Sequence, residues 1–202
     1  MYLSRLDLSL GSRQVQSELS NPYEMHRTLS KAFGDEPDAW KDARVLFRVD
    51  ETDGKLLALV QSTIRPDWTC LTVADGYLAV PPEVKPFDPS VRAGQRLAFR
   101  LLANPTVKRD GKRLGLYKEQ EQTDWLKRKA RENGFSVLSA VATGMGKVKS
   151  RTAEGRETTL LAVRFDGALE VTDAALFVKA LECGVGSAKG FGFGLLSIAP
   201  PR

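Results

Sequence analysis

The order of elements predicts an α+β protein made of two tandem ferredoxin-like units, each with the pattern βαββαβ. Three observations carry this expectation. The second half of the 202-residue chain spells β, α, β, β, α, β in full, and the first half spells β, α, β, β before its pattern thins. The length suits one large domain or two that each bury a core. A run of Pro81-Pro82, Pro86, Pro89 and Gly94 marks a connection between halves, so residues 1–87 are expected to form one domain and 88–202 the other.

The chain opens with the alternation Tyr2-Leu3-Ser4-Arg5-Leu6-Asp7-Leu8, a half-buried strand, and then enters a helical region that runs to about Phe33. Strands at Val45 to Val49 and Leu56 to Gln61 are joined across Asp53-Gly54, a hairpin signal. No second helix is visible, because residues 63–95 are rich in Pro, Asp and Gly, and only Tyr77 to Val80 suggests a strand. Strand character resumes at Arg96 to Leu102. A basic turn at 108–113, a helix from about Thr123 to Asn133 closed by Gly134, and strands at Phe135 to Thr143 and Thr158 to Phe165 follow. A helix at Thr172 to Cys183 and a strand at Phe193 to Ile198 end the chain.

The helix that begins near residue 21 holds the most chemistry. Asn21 suits the cap, Pro22 the first helical position, and Glu24 three residues after Asn21 completes a capping-box pattern. At about 100° per residue, Met25, Leu29, Ala32 and Phe33 share a core-facing stripe. The neighbouring stripe carries Tyr23, His26 and Ser30, with Arg27 and Lys31 beyond it. His26 is the single histidine of the chain and is expected at the edge of the core. An imidazole, a phenol and two cations on adjoining stripes suit an anionic substrate; the plainer alternative is a core-edge tyrosine beside an ordinary surface histidine.

Composition narrows the function classes. Cys70 and Cys183 have no framework spacing, and one histidine leaves no Cys/His set for zinc, which implies a reduced, intracellular protein. No apolar run reaches the length of a signal core or membrane span, so a cytoplasmic protein without a membrane partner is expected. Charge is unevenly spread: residues 1–86 carry 10 Lys/Arg against 13 Asp/Glu, and residues 87–202 carry 20 against 12. A phosphate-rich partner would therefore dock on the second half.

Between the last helix and the last strand run glycines 184, 186, 190, 192 and 194. A dinucleotide fingerprint must follow a strand and open a helix, and a P-loop must end in Gly-Lys-Ser/Thr, so this segment fits neither. Gly186, Lys189 and Gly190 instead form a shelf on which a phosphodiester backbone meets amides and one cation. Two basic hairpins complete an RNA surface, with Lys108, Arg109, Lys112 and Arg113 on one and Lys147, Lys149, Arg151 and Arg156 on the other. Such tips suit the phosphates or grooves of structured RNA.

Three segments together resemble one family: Asn-Pro-Tyr-Glu-Met-His-Arg-Thr-Leu-Ser-Lys at 21–31, Leu-Leu-Ala-Asn-Pro-Thr-Val-Lys-Arg with Gly-Lys-Arg at 101–113, and Gly-Val-Gly-Ser-Ala-Lys-Gly-Phe-Gly-Phe-Gly-Leu-Leu-Ser at 184–197. The chain resembles CasE, the CRISPR-associated endoribonuclease that processes precursor guide RNA in type I-E systems. The resemblance implies a tandem ferredoxin-like protein that binds the stem-loop of a repeat RNA and cuts at the base of its stem. It implies attack by a ribose 2′-hydroxyl without metal or other cofactor, leaving a 2′,3′-cyclic phosphate and a 5′-hydroxyl. It further implies retention of the crRNA within the Cascade complex, whose other subunits are then partners. The family's tyrosine, histidine and helix lysine fall on Tyr23, His26 and Lys31, and its glycine-rich loop on 184–194. Two other readings are a hairpin-RNA-binding module that never cuts and a structural ribonucleoprotein subunit.

Overall fold

Strand β1 (Tyr2–Leu8) follows its alternation: Ser4, Leu6 and Leu8 point into the core, while Arg5 and Asp7 pair on the other face at 3.0 Å. A computed structural model of the chain describes residues 1–34, 39–152, 155 and 157–201. Two compact units divide it, one of Met1–Asp88 with Lys149–Thr158 and Gly190–Gly192, the other of Pro89–Val148 with Thr159–Lys189 and Phe193–Arg202.

In the first unit, β1 is followed by helices α1 (Arg13–Ser20), α2 (Pro22–Ser30) and α3 (Ala39–Asp42), then by β2 (Leu46–Thr52), β3 (Lys55–Ser62) and β4 (Glu83–Pro86). The sheet order is β2-β3-β1-β4 with antiparallel neighbours. Asp53 and Gly54 both have positive φ, the twisted two-residue turn expected between β2 and β3. The helical region is two helices rather than one, because Asn21 at φ −137° breaks the run between α1 and α2. The edge strand is β4 rather than Tyr77 to Val80, where Leu78 forms one isolated bridge to Leu8. Prolines around 81–86 hid it, yet an edge strand tolerates the donor that proline lacks. Where a second helix would cover the sheet, a short 3-10 turn (Trp68–Cys70) does so: Trp68 is buried and its indole N–H donates to Ser4 Oγ at 3.0 Å. Leu71, Tyr77 and Leu78 fill the rest of that core.

In the second unit, β5 (Arg96–Ala103) leads to the short hairpin β6 (Thr106–Arg109) and β7 (Lys112–Gly115), then α4 (Glu119–Glu132), β8 (Phe135–Arg151), β9 (Glu157–Val171), α5 (Ala174–Cys183) and β10 (Leu196–Ala199). Helix α4 starts earlier and β8 and β9 run longer than their apolar patterns predict, since polar residues extend elements once packing has set them. The sheet order is β10-β5-β9-β8. Counted in chain order, both four-stranded sheets read 4-1-3-2, the ferredoxin-like arrangement. Phe99, Leu101, Trp125, Phe135, Phe165 and Phe177 form the second core. No helix among the described residues is long and apolar enough to cross a membrane.

Candidate active site

Helix α2 positions the candidate catalytic groups. Met25 and Leu29 are buried and Phe33 packs against the same core, so the stripe assigned to the interior is inside. That sets the buried face of the helix and turns Tyr23, His26 and Lys31 towards a cleft of about 830 Å³, which Arg27, Trp40, Gly190 and Phe191 also line. The expected set therefore comes together within the first unit, joined by Gly190 from the glycine-rich segment.

The start of α2 is held differently from the expected capping box. Asn21 makes no side-chain bond to its own helix. Its Oδ1 accepts from Ser150 Oγ at 2.5 Å and from the Arg151 amide at 3.0 Å, and its Nδ2 donates to the Arg151 carbonyl at 3.1 Å. Ser150 Oγ in turn accepts from the Tyr23 amide at 3.3 Å, so a first-turn donor finds its partner from the far end of β8. Glu24 pairs with Arg27 at 2.9 Å instead of reaching back. This exposed pair partly neutralises the cation nearest the imidazole in sequence.

His26 is not at the edge of the core: it is 5% exposed. Trp40 meets its ring edge-on at 4.6 Å between centroids, and Phe47 lies 6.2 Å away. The sequence missed this cover because α3, which carries Trp40, has only four residues and no periodic signature. Burial pushes the imidazole down from the usual 6.5 to about 4, so it is neutral through physiological pH. Its Nε2 is buried and, among the described residues, has no hydrogen-bond partner. A native buried polar atom left unpaired calls for a functional explanation.

Gly190 lies over that nitrogen: a Cβ there would sit 3.8 Å from both Nε2 and Cδ2 of His26. Two residues on, Gly192 has φ +84° and its Cβ position is 3.2 Å from the Phe47 ring, so both the backbone shape and the close approach require glycine. The Tyr23 and Phe191 rings tilt against each other at 6.1 Å, closing one side of the cleft. Lys31 opens the 3-10 turn after α2 and is exposed.

The remaining predicted contacts fall outside this cleft. Lys108, Arg109, Lys112 and Arg113 are all exposed on the β6–β7 hairpin, whose Asp110-Gly111 tip has positive φ at both residues. Lys108, Arg113 and Gly186 line a cleft of about 240 Å³ in the second unit with Arg128 and Lys129 of α4. Those two cations were missed, although the run Lys127-Arg128-Lys129 signals a basic helix face. Lys147 lies over the Tyr117 ring at 5.6 Å, Lys149 is exposed, and Arg151 forms an exposed ion pair with Glu157. Lys189 opens a short 3-10 turn (Lys189–Phe191), and Arg156 lies outside the described residues.

A family model described as "CRISPR associated protein" matches residues 1–200. The chain belongs to that family, in its CasE branch. This CasE-family chain is 38% identical to the CRISPR-associated endoribonuclease Cse3 of Thermus thermophilus, with 99% of this chain and 100% of the relative aligned. It is 30% identical to the CRISPR system Cascade subunit CasE of Escherichia coli, again over 99% and 100% of the two chains. Among solved structures, the CRISPR endoribonuclease Cse3 bound to a 19-nucleotide RNA superposes on it with a TM-score of 0.86 at 38% identity, covering 99% of this chain and 100% of that one.

Proposed function

We propose that this chain is a cytoplasmic, metal-independent endoribonuclease. It binds the stem-loop of a CRISPR repeat, cuts precursor crRNA at the 3′ base of the stem, and keeps the product as a subunit of a type I-E Cascade complex. The likeness to Cse3 and CasE over the full chain supports the substrate and the assembly. One feature carries the chemistry: a neutral imidazole whose Nε2 has no partner among the described residues, in a cleft shared with a tyrosine and a lysine.

The 2′-hydroxyl of the nucleotide before the cut gives its proton to His26 as its oxygen attacks the adjacent phosphorus. The bond from phosphorus to the 5′-oxygen breaks, and that oxygen leaves with a proton donated by Tyr23. The products are a 2′,3′-cyclic phosphate and a 5′-hydroxyl, and no atom is left unaccounted for. His26 is the better base of the pair, because a neutral imidazole offers a free ring-nitrogen lone pair where a phenol offers an O–H to donate. Lys31 and Arg27 stabilise charge on the phosphorane, and Gly190 lets a strand approach the imidazole without a side chain in its path. In this reading the domain of residues 1–87 supplies the catalytic helix. Residues 88–202 supply Lys108, Arg109, Lys112, Arg113, Lys147, Lys149, Arg151 and the glycine-rich shelf of Gly186 and Lys189 for the RNA stem.

The test is cleavage of a cognate repeat hairpin in excess EDTA, beside the same RNA carrying one 2′-deoxy substitution before the cut. Cutting of the first alone is expected, and His26→Ala should slow it on the order of 10²- to 10⁴-fold. Tight binding with no cutting of either RNA would leave a binding module in its place.

A further inference from the structure

The cleft is also lined by a carboxyl group, Glu18, that the chemistry does not use. Glu18 projects from α1 into the first core and is 5% exposed. Its Oε1 accepts from Thr28 Oγ1 at 2.6 Å and from Gln14 Nε2 at 2.9 Å, and its Oε2 accepts from Tyr77 OH at 2.6 Å. Thr28 and Tyr77 are themselves 5% and 2% exposed. Burial and the bond to Glu18 together push the Tyr77 phenol far above its ordinary range, so it remains a donor at every working pH. One buried acceptor thus ties three segments together: α1, the residue two after His26 on α2, and the loop that replaces the second helix.

We propose that Glu18 is a positioning residue for cleavage, setting the rotation of α2 and hence the place of the His26 imidazole; the proposal rests on the endoribonuclease reading above. Apolar packing by Met25 and Leu29 chooses the buried face, but van der Waals contact is not directional and fixes the last few degrees less sharply than a hydrogen bond does. A short hydrogen bond to a fixed carboxyl group is directional, and at 2.6 Å this one is short. Thr28 and Lys31 are three residues apart and share a stripe, so the same bond orients the lysine side of the helix. With side chains reaching roughly 5–6 Å from a helix axis, a rotation of about 10° moves a ring by about 1 Å. A misplacement of that size can cost about 100-fold in rate. A leucine at residue 18 would bury more easily than a carboxylate, which makes geometry rather than stability the gain.

The decisive variant replaces the whole cluster with apolar groups of similar shape, Glu18→Leu with Thr28→Val and Tyr77→Phe, which strands no buried polar atom; Gln14 is exposed and turns to water. Single-turnover cleavage of the repeat hairpin should fall about 10- to 100-fold while RNA affinity stays within about threefold and the thermal midpoint stays near the parent's. In a His26→Ala background the same three changes should cost less than they do in the parent, since there is no imidazole left to place and only Tyr23 and Lys31 still depend on the rotation. Parental cleavage by the triple variant, or a full additional loss on top of His26→Ala, overturns the proposal. Parental cleavage by His26→Ala alone overturns the catalytic reading instead, so the two failures are told apart. Should the triple variant not fold, Thr28→Val alone removes the bond from α2 and is judged by the same rate and affinity criteria.

Discussion

Burial decides the protonation of His26. Trp40 and Phe47 exclude water from the ring, and that desolvation drops its pKa to about 4. A base must be neutral, and in the free protein the neutral form is complete above about pH 5, so kcat/KM should be level from about pH 5.5 to 8. An acid role would need the protonated form, whose share falls tenfold per pH unit above about 4. A pH series of kcat/KM checks this, and a tenfold-per-unit decline over that range would remove His26 as the base. Bound phosphate favours the imidazolium, so the acid limb of kcat should lie at higher pH than that of kcat/KM. At this scale helical spacing was enough to put Tyr23, His26 and Lys31 on one cleft, because 100° per residue is a property of the backbone. It did not reveal the depth of His26, because Trp40 and Gly190 reach it through tertiary folding, and no local pattern records which ring covers which.

Helices and strands were legible where periodicity met a stop signal. Strand β1 alternates cleanly, and the Asp-Gly turns at 53–54 and 110–111 have the positive φ values their residues suit. Strand β4 and the loop closed by Trp68 were illegible for the opposite reason: prolines and a single indole hydrogen bond do the work of an edge strand and a helix. Asn21 is the N-cap of α2 as expected, with Pro22 after it, but the local bonds of a capping box are absent. Asn21 has the right chemistry, but its partners lie 129 and 130 residues downstream. Asn21→Ala removes three side-chain bonds at once and should cost about 1–3 kcal/mol, whereas Ser150→Ala leaves Asn21 bonded to Arg151 and should cost about 1 kcal/mol. Urea denaturation of the two variants checks the ranking. Equal costs would mean that the asparagine acts only through Ser150.

Across the whole molecule, the two sheets repeat one strand order on unrelated local sequences, and the charge is divided where the folds are not. The excess of cations after residue 87 includes the β6–β7 hairpin, where Lys108 and Lys112 are exposed and, among the described residues, in no ion pair. Cations held that far into solvent gain little from intramolecular pairing, but each one set against a phosphate releases counterions when RNA binds. The expected mark is a salt slope: log K against log salt should become shallower by about 0.7–0.9 for each phosphate contact removed, so Lys108→Ala with Lys112→Ala should flatten it by roughly 1.4–1.8. Neither side chain lines the cleft that holds His26, so the rate at saturating RNA should stay within about twofold of the parent while affinity falls at every salt concentration. An unchanged slope would remove the hairpin from the RNA surface, and a rate lost at saturation would mean that these two lysines act on the scissile phosphate rather than on the stem.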